Sequence, residues 1–156
     1  MDISRFTDIH CRDQLMPFTL TRHTAEIRVG MFTIKEKWEL ALTLFPGIQL
    51  PESIPADIIP GHDFFALLNE KKWEEVIAET QLFRVLHHPW DITRYNDWSI
   101  RQDYLMAVKN RQTSPISSTV KITGLADLFL EKDVIAEHCY INTTGGPVYI
   151  SSGAEI

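Results

Sequence analysis

The chain is poor in cysteine and in uninterrupted apolar stretches, and each shortage excludes a class of protein. Its 156 residues include two cysteines, Cys11 and Cys139, which are far apart and lack the spacing of a metal-binding pair. Two free thiols are typical of a reducing compartment. No apolar run approaches the roughly 20 residues that span a bilayer, and residues 1–5 lack the basic start of a secretion signal. We therefore expect a cytoplasmic protein without a membrane partner.

Basic residues are too few and too dispersed to form a nucleic-acid-binding face. Fifteen lysines and arginines stand against 21 acidic residues, which gives a net charge of −6. The longest basic run is the pair Lys71-Lys72, whereas binding to a phosphate backbone requires a clustered basic surface. We therefore expect no nucleic-acid partner. The hydrophobic fraction of 44% is that of a globular protein with a core.

Composition changes near residue 113, which predicts two domains. Residues 1–112 contain all four tryptophans and several helical patterns, which indicates an α/β domain. Residues 113–156 lack tryptophan and are rich in Val, Ile, Thr, Gly and Ser. We expect the second part to be β-structure.

Local signals predict the elements of the first part. Thr33 followed by Glu36 forms a capping box, which predicts a helix over 34–42. The spacing of Ile34, Trp38 and Leu42 places these three side chains on its buried face. Further predicted elements are a strand over 3–6, a strand over 58–59, a helix over 64–69 with Asp63 as its N-cap, and a helix capped by Asn96 or Asp97. Residues 73–79 are a candidate helix and 82–86 a candidate strand, because the period of such short apolar runs does not separate the two.

The second part carries a six-residue apolar repeat, which is typical of a parallel β-helix solenoid. The repeating residues are Phe129, Ile135 and Ile141, then Ile150 and Ile156. Because 129–156 fills only about one and a half coils, we expect the truncated start of a longer solenoid. An open strand edge invites pairing, so we expect 148–156 to be frayed or paired with a neighbouring molecule, in a monomer or homodimer.

Two segments resemble a known family. Residues 13–22 read DQLMPFTLTR, followed by EIRVG at 26–30 and TIKEKW at 33–38. This stretch resembles the opening of bacterial sugar nucleotidyltransferase-like proteins, labelled glucose-1-phosphate thymidylyltransferase-like or N-acetylglucosamine-1-phosphate uridyltransferase-like. HPWDI at 88–92 looks like the same group's linker into a left-handed β-helix. The resemblance implies a reduced Rossmann-like nucleotidyltransferase domain followed by the beginning of a left-handed parallel β-helix.

The resemblance also implies site residues, although the chain departs from the family's pattern. Residues 8–12, which read DIHCR, replace a glycine-rich phosphate loop and leave Arg12 as its cation. His23 and Thr24 stand where the family has a proline and a lysine that neutralises phosphate charge. The nearest cations are then Arg22 and Arg28, of which Arg22 is the first candidate. The resemblance thus implies Arg12 and Arg22 as catalytic residues.

Substrate and metal positions follow from the same resemblance. Pro17 and Thr19 are the implied substrate-binding residues, and Asp57 is the implied metal aspartate. A carboxylate beside substrate phosphates suits Mg²⁺, so Mg²⁺ is the expected cofactor of an active enzyme. The expected partners are a nucleoside triphosphate and a sugar phosphate.

Three functions stay open at this point. The first is nucleotidyl transfer from a nucleoside triphosphate to a sugar phosphate, with release of pyrophosphate. The second, favoured by the missing glycines and lysine, is a non-catalytic protein that binds a sugar nucleotide or serves as an oligomerisation scaffold. The third is a lead-in domain for a β-helix acyltransferase, for which His138 is the candidate base.

Overall fold

The computed structural model describes residues 1–124 and 127–156, which form two compact units, Met1–Met106 and Ala107–Ile156. This division lies six residues before the predicted domain boundary, which falls between 112 and 113. Both helices and short strands are present, and the strands form parallel and antiparallel pairs. None of the helices formed by the described residues combines the length and the apolar character needed to cross a bilayer.

The first unit contains three two-stranded sheets. Their strands are β1 Phe6–Thr7, β2 Arg28–Val29, β3 Phe32–Thr33, β4 Ile54–Pro55, β5 Ile58–Pro60 and β6 Phe83–Val85. One sheet is parallel (β1 with β4) and two are antiparallel (β2 with β3, and β5 with β6). The strand predicted over 3–6 is wrong in its first three residues. Ile3–Arg5 is a 3-10 helix, because the Asp2 carboxylate accepts the Ser4 N–H at 3.1 Å and starts a helical turn.

Local capping predicts the start of the helix after Thr33 but misplaces the starts of the helices near residues 62 and 96. The bounds of the helices are α1 Ile34–Leu44, α2 His62–Leu68, α3 Trp73–Val76, α4 Asp91–Arg94 and α5 Asn96–Val108. The capping box is confirmed, since Thr33 Oγ1 accepts the Glu36 N–H at 3.2 Å and the Glu36 carboxylate accepts the Thr33 N–H at 2.7 Å. The predicted N-cap of α2, Asp63, is wrong, because Gly61 takes this position and Asp63 lies in the first turn of the helix. The helix begins at His62 because Oε1 of Gln102, 40 residues away, accepts the His62 N–H at 3.0 Å.

The core of the first unit is built around Trp38, which is fully buried. Its ring lies edge-on to Phe64 and Phe65, at centroid separations of 5.9 and 5.0 Å. Such edge-to-face pairs add to the free energy gained by burial. Leu42, predicted to be buried with Trp38, is instead 37% exposed.

Lys37 lies on the buried face of α1, although the apolar periodicity did not predict its burial. Its side chain and that of Asp103 on α5 are both fully buried and form an ion pair. Lys37 Nζ also donates to Ser99 Oγ at 2.9 Å, and Asp103 accepts the Met31 N–H at 2.8 Å. Gly30 fits this site because its φ is +81° and a Cβ there would meet Ser99 Oγ at 2.7 Å.

The second unit consists of stacked parallel segments. Its strands are β7 Lys121–Thr123, β8 Leu128–Leu130, β9 Tyr140–Asn142 and β10 Val148–Ile150. β8 pairs with β10 at a register of 20 residues, β7 pairs with β9 at a register of 19, and a parallel bridge joins Ile135 to Glu155. The expectation that 148–156 is frayed is wrong, because 148–150 pairs with β8 and backbone hydrogen bonds join Ala154 and Ile156 to Ile135. Pairing with a neighbouring molecule stays a prediction.

Only part of the six-residue repeat faces the interior of this unit. Ile141 and Ile150 are buried together with Leu130 and Ala136. Ile135 and Ile156, which the repeat predicts to be buried, are 54% and 53% exposed. Because neighbouring side chains of extended backbone point to opposite sides, the burial of Ala136 directs its neighbour Ile135 outward.

Glu131 joins the end of β8 to β10 and gives the second unit an acid-sensitive contact. Its carboxylate accepts hydrogen bonds from the Tyr149 hydroxyl, from Arg111 Nη2 at 2.6 Å and from the Ser152 N–H at 2.7 Å. These donors lower the pKa of Glu131 from its ordinary value of 4.5 to about 2. A depressed pKa stabilises the folded state above the unfolded pKa, and that stabilisation is lost as pH falls through the folded one.

We therefore expect the amides of β8 and β10 to lose hydrogen-exchange protection as pH falls from about 5 toward 2. Glu131→Gln should lower the free energy of opening of these strands by about 1–2 kcal/mol at pH 7. It should also remove most of the pH dependence of their protection between about pH 5 and pH 2. Glu137→Gln, at an exposed glutamate of the same unit, is the control. Equal behaviour of the two variants would contradict this role of Glu131.

Candidate functional site

The parallel strands β1 and β4 place two aspartates at one edge. Phe6 pairs with Ile54 and Thr7 with Pro55, so the carboxyl ends of both strands lie side by side. Asp8 follows β1 directly, and Asp57 follows β4 after one residue. Ligands of open α/β sheets bind at this end of parallel strands. We call this region, formed by residues 8–12 and 56–57, the β1–β4 edge.

Asp8 organises the loop that follows β1. Its buried carboxylate accepts the Thr24 N–H at 3.2 Å, the Thr24 hydroxyl at 3.3 Å and Arg12 Nη1 at 2.9 Å, and His23 Nε2 lies 3.4 Å away. Burial alone would raise the pKa of Asp8, but these hydrogen bonds and the charges of His23 and Arg12 outweigh it and lower the pKa. Asp8 is therefore an anion that ties residue 24 back to β1.

Arg12 and Thr19 bind each other within this loop. Arg12 Nη2 donates to the Thr19 carbonyl at 2.6 Å, and the buried Thr19 hydroxyl donates to the Arg12 carbonyl at 2.7 Å. With Arg12 also bound to Asp8, both side chains make contacts that hold the loop together. The catalytic role implied for Arg12 and the substrate-binding role implied for Thr19 stay predictions.

Pro17 and Arg22 lie on the exposed part of the same loop. Pro17 follows a cis peptide bond and is exposed, as are its neighbours Met16 and Phe18. Arg22 is also exposed, and its carbonyl accepts Arg12 Nη1 at 3.4 Å. Arg22 is thus the guanidinium of this loop that is open to a ligand from solvent.

Asp57 lies beside two residues of the β1 loop. Its buried carboxylate is 2.9 Å from His10 Nε2, and its backbone carbonyl accepts the Leu86 N–H at 2.9 Å. The donor atoms of His10, Cys11 and Asp57 all lie within 4.8 Å of one another. Burial, with a smaller contribution from the charges of Asp57 and Asp8, raises the pKa of the Cys11 thiol to about 11.

This constellation does not suit the Mg²⁺ that the family resemblance implies. Mg²⁺ is held by oxygen ligands in octahedral geometry and retains several waters. Here the groups nearest the Asp57 carboxylate are an imidazole nitrogen and a sulfur. The Asp8 carboxylate already accepts three hydrogen bonds from Arg12 and Thr24.

The sequence prediction names Asp57 but not Asp8, His10 or Cys11, which lie beside it in the structure. It considers Cys11 only with Cys139, and His23 only as the residue at the family's proline position. The sequence does show that residues 8–11 follow one short strand and that Asp57 follows another. It contains no local signal that these two strands pair.

The segment over 87–91 and His138 have structural roles in the fold. The Asp91 carboxylate accepts the N–H groups of His87 and His88 at 3.0 and 2.9 Å, and so caps the turn before α4. His138 is exposed, has a positive φ of 51°, and donates its N–H to Thr119 Oγ1 at 3.0 Å.

Comparison with known proteins supports a family likeness for the first third of the chain. A family model described as sugar nucleotidyl transferase matches residues 3–50. Neither the curated proteins nor the solved structures include one that matches the chain. The matched segment contains β1, the loop that Asp8 organises, and α1, while Asp57 and the whole second unit lie outside it. The chain is thus sugar nucleotidyltransferase-like over the segment that forms the β1 side of the site.

Proposed function

We propose that this protein binds a sugar nucleotide at the β1–β4 edge, as a nucleotidyltransferase-like protein that does not turn over. One observation carries the proposal. The segment that matches the sugar nucleotidyl transferase family supplies the loop over 8–24, and this loop lies at the carboxyl end of a parallel strand pair beside Asp57. That is where phosphate-bearing ligands bind in related architectures.

The polar side chains of the loop over 8–24 support binding. Arg22 is exposed, and the side chains of His10 and His23 are 49% and 22% exposed. A guanidinium suits the phosphates of a nucleotide, and imidazole N–H groups can donate hydrogen bonds to them.

The same geometry argues against efficient transfer. The residue at the family's lysine position, Thr24, is buried, and its N–H and hydroxyl both donate to Asp8. Arg12 is bound to Asp8 and to the Thr19 carbonyl. Phosphoryl chemistry requires preorganised positive charge at the transferred group. A ligand can therefore bind here without the charge needed to stabilise the transition state.

The fold proposal has two parts. The first unit is a reduced Rossmann-like domain in which the β1–β4 pair is the remaining parallel sheet among the described residues. The second unit has the coil arrangement of a left-handed parallel β-helix. Support for it is the parallel register of 19 or 20 residues, close to the three six-residue sides of about 18 residues in such a coil. The exposed His138 gives the acyltransferase hypothesis no support.

A thermal-shift screen tests the proposal. The full chain is heated with UTP, dTTP and their sugar derivatives, and pyrophosphate release from the triphosphates with sugar phosphates is measured in parallel. A ligand present at 100 times its Kd should stabilise the fold by about 2.7 kcal/mol. Arg22→Ala should weaken binding by about 10- to 100-fold through loss of a charge-assisted hydrogen bond.

Arg101→Ala is the matched control, because Arg101 is an exposed arginine paired with Asp97 on α5. This variant should bind the nucleotides as tightly as the wild type. Pyrophosphate release should remain at background. A flat screen would overturn the binding proposal. Robust pyrophosphate release that is abolished by Asp57→Ala would overturn the claim that the protein does not turn over.

A further inference from the structure

The side chains of His10, Cys11 and Asp57 bring a nitrogen, a sulfur and an oxygen donor together from two distant parts of the chain. His10 and Cys11 follow β1, Asp57 follows β4, and the three donor atoms lie within 4.8 Å of one another. Two of the three residues, Cys11 and Asp57, are buried. Aspartate is seldom buried without a partner, so the burial of Asp57 beside a thiol and an imidazole is uncommon.

We propose that His10, Cys11 and Asp57 form a site for a zinc-type divalent metal ion. A mixed nitrogen, sulfur and oxygen set is selective for Zn²⁺ and Co²⁺ over the oxygen-seeking Mg²⁺ and Ca²⁺. Three protein ligands leave the fourth tetrahedral position to water or to an anionic ligand.

The three donor atoms, which lie within 4.8 Å of one another, would move to tetrahedral separations on binding one ion. Bonds of about 2.0–2.3 Å in a tetrahedral site separate the ligand atoms by about 3.3–3.6 Å. His10 Nε2 and Asp57 Oδ1 are 2.9 Å apart, so they would separate slightly to admit the ion between them. The His10 side chain is half exposed, which gives the ion a route from solvent.

The surroundings hold two of the ligands in place. The Asp57 carbonyl is bound to the Leu86 N–H at 2.9 Å, which fixes the turn after β4. Cys11 Sγ lies 3.4 Å from the Asp8 carbonyl and 3.8 Å from Thr24 Oγ1. On binding, the thiol releases its proton to solvent and ligates as thiolate, while His10 ligates through neutral Nε2.

Cobalt titration tests the site and does not depend on the nucleotide proposal, because no nucleotide is present. The full chain is freed of metal with a chelator and titrated with Co²⁺. One equivalent should produce a thiolate-to-cobalt charge-transfer absorption with the visible bands of a four-coordinate ion. Zn²⁺ should displace the Co²⁺, and Mg²⁺ in large excess should not.

Matched variants assign the ligands. Cys11→Ser should abolish the charge-transfer absorption, and Cys139→Ser, at the other cysteine, should leave it unchanged. Since Cys11 is in the core and its replacement threatens folding, His10→Ala is the second variant. It should weaken Co²⁺ binding at least about tenfold in a folded protein, whereas His138→Ala should not.

Absence of the charge-transfer band in the folded wild-type chain would overturn the proposal. So would a band that survives Cys11→Ser, one that depends on Cys139, or displacement of Co²⁺ by Mg²⁺ as readily as by Zn²⁺.

Discussion

Replacing Lys37 with methionine is expected to lower the free energy of unfolding by about 3–5 kcal/mol, because the change leaves the buried Asp103 carboxylate without its counter-ion. Both side chains are fully buried. Burial lowers the pKa of Lys37 and raises that of Asp103, so each charge depends on the other. The cost should be measured by urea denaturation at pH 7.

Two further variants make this prediction specific. The double variant Lys37→Met/Asp103→Leu should recover a large part of the loss, because apolar side chains replace a buried ion pair with little net cost. Arg101→Met breaks the exposed Arg101–Asp97 pair on the same helix, and should lower stability far less than Lys37→Met because solvent screens exposed pairs. A loss of under about 1 kcal/mol for Lys37→Met would contradict the role assigned to the pair.

Replacing Asp8 with alanine should lower the free energy of unfolding and abolish nucleotide binding. The carboxylate accepts three hydrogen bonds, and its loss leaves the buried Thr24 N–H without a partner. We expect a cost of about 2–4 kcal/mol, together with rapid proteolysis of the loop over 8–24 and loss of the thermal shift by nucleotides. Asp8→Asn should be milder, since the amide oxygen still accepts hydrogen bonds.

Asp13 provides the control for this experiment, because it is an exposed aspartate of the same loop. Asp13→Ala should leave unfolding and nucleotide binding close to those of the wild type. If Asp8→Ala were equally mild, the loop would owe its conformation to other contacts, and Asp8 would lose its place in the site.

The sequence predicted elements whose signals are local and missed contacts between distant residues. Thr33 and Glu36 are three residues apart, and the capping box they predict is present. Lys37 and Asp103 are 66 residues apart. Periodicity therefore assigned Leu42 to the buried face of α1, although the ion pair draws Lys37 into the core.

In the second unit, too, local signals were predicted and distant contacts were not. Its six-residue repeat predicted parallel stacking, because the spacing of apolar residues is itself a local signal. The repeat did not determine which neighbour faces inward, so Ile135 was predicted where Ala136 is buried. In the candidate site, Asp57 was found from a motif, but its proximity to His10 depends on the pairing of β1 with β4.

Amide hydrogen–deuterium exchange with and without nucleotides tests the central claim that the β1–β4 edge is the binding site. The full chain is measured alone and with saturating UTP, dTTP or their sugar derivatives. The account predicts slower exchange in the loop over 8–24 and at 56–57, with β8 and β10 of the second unit unchanged. Slower exchange confined to the second unit, or no change in any region, would contradict it.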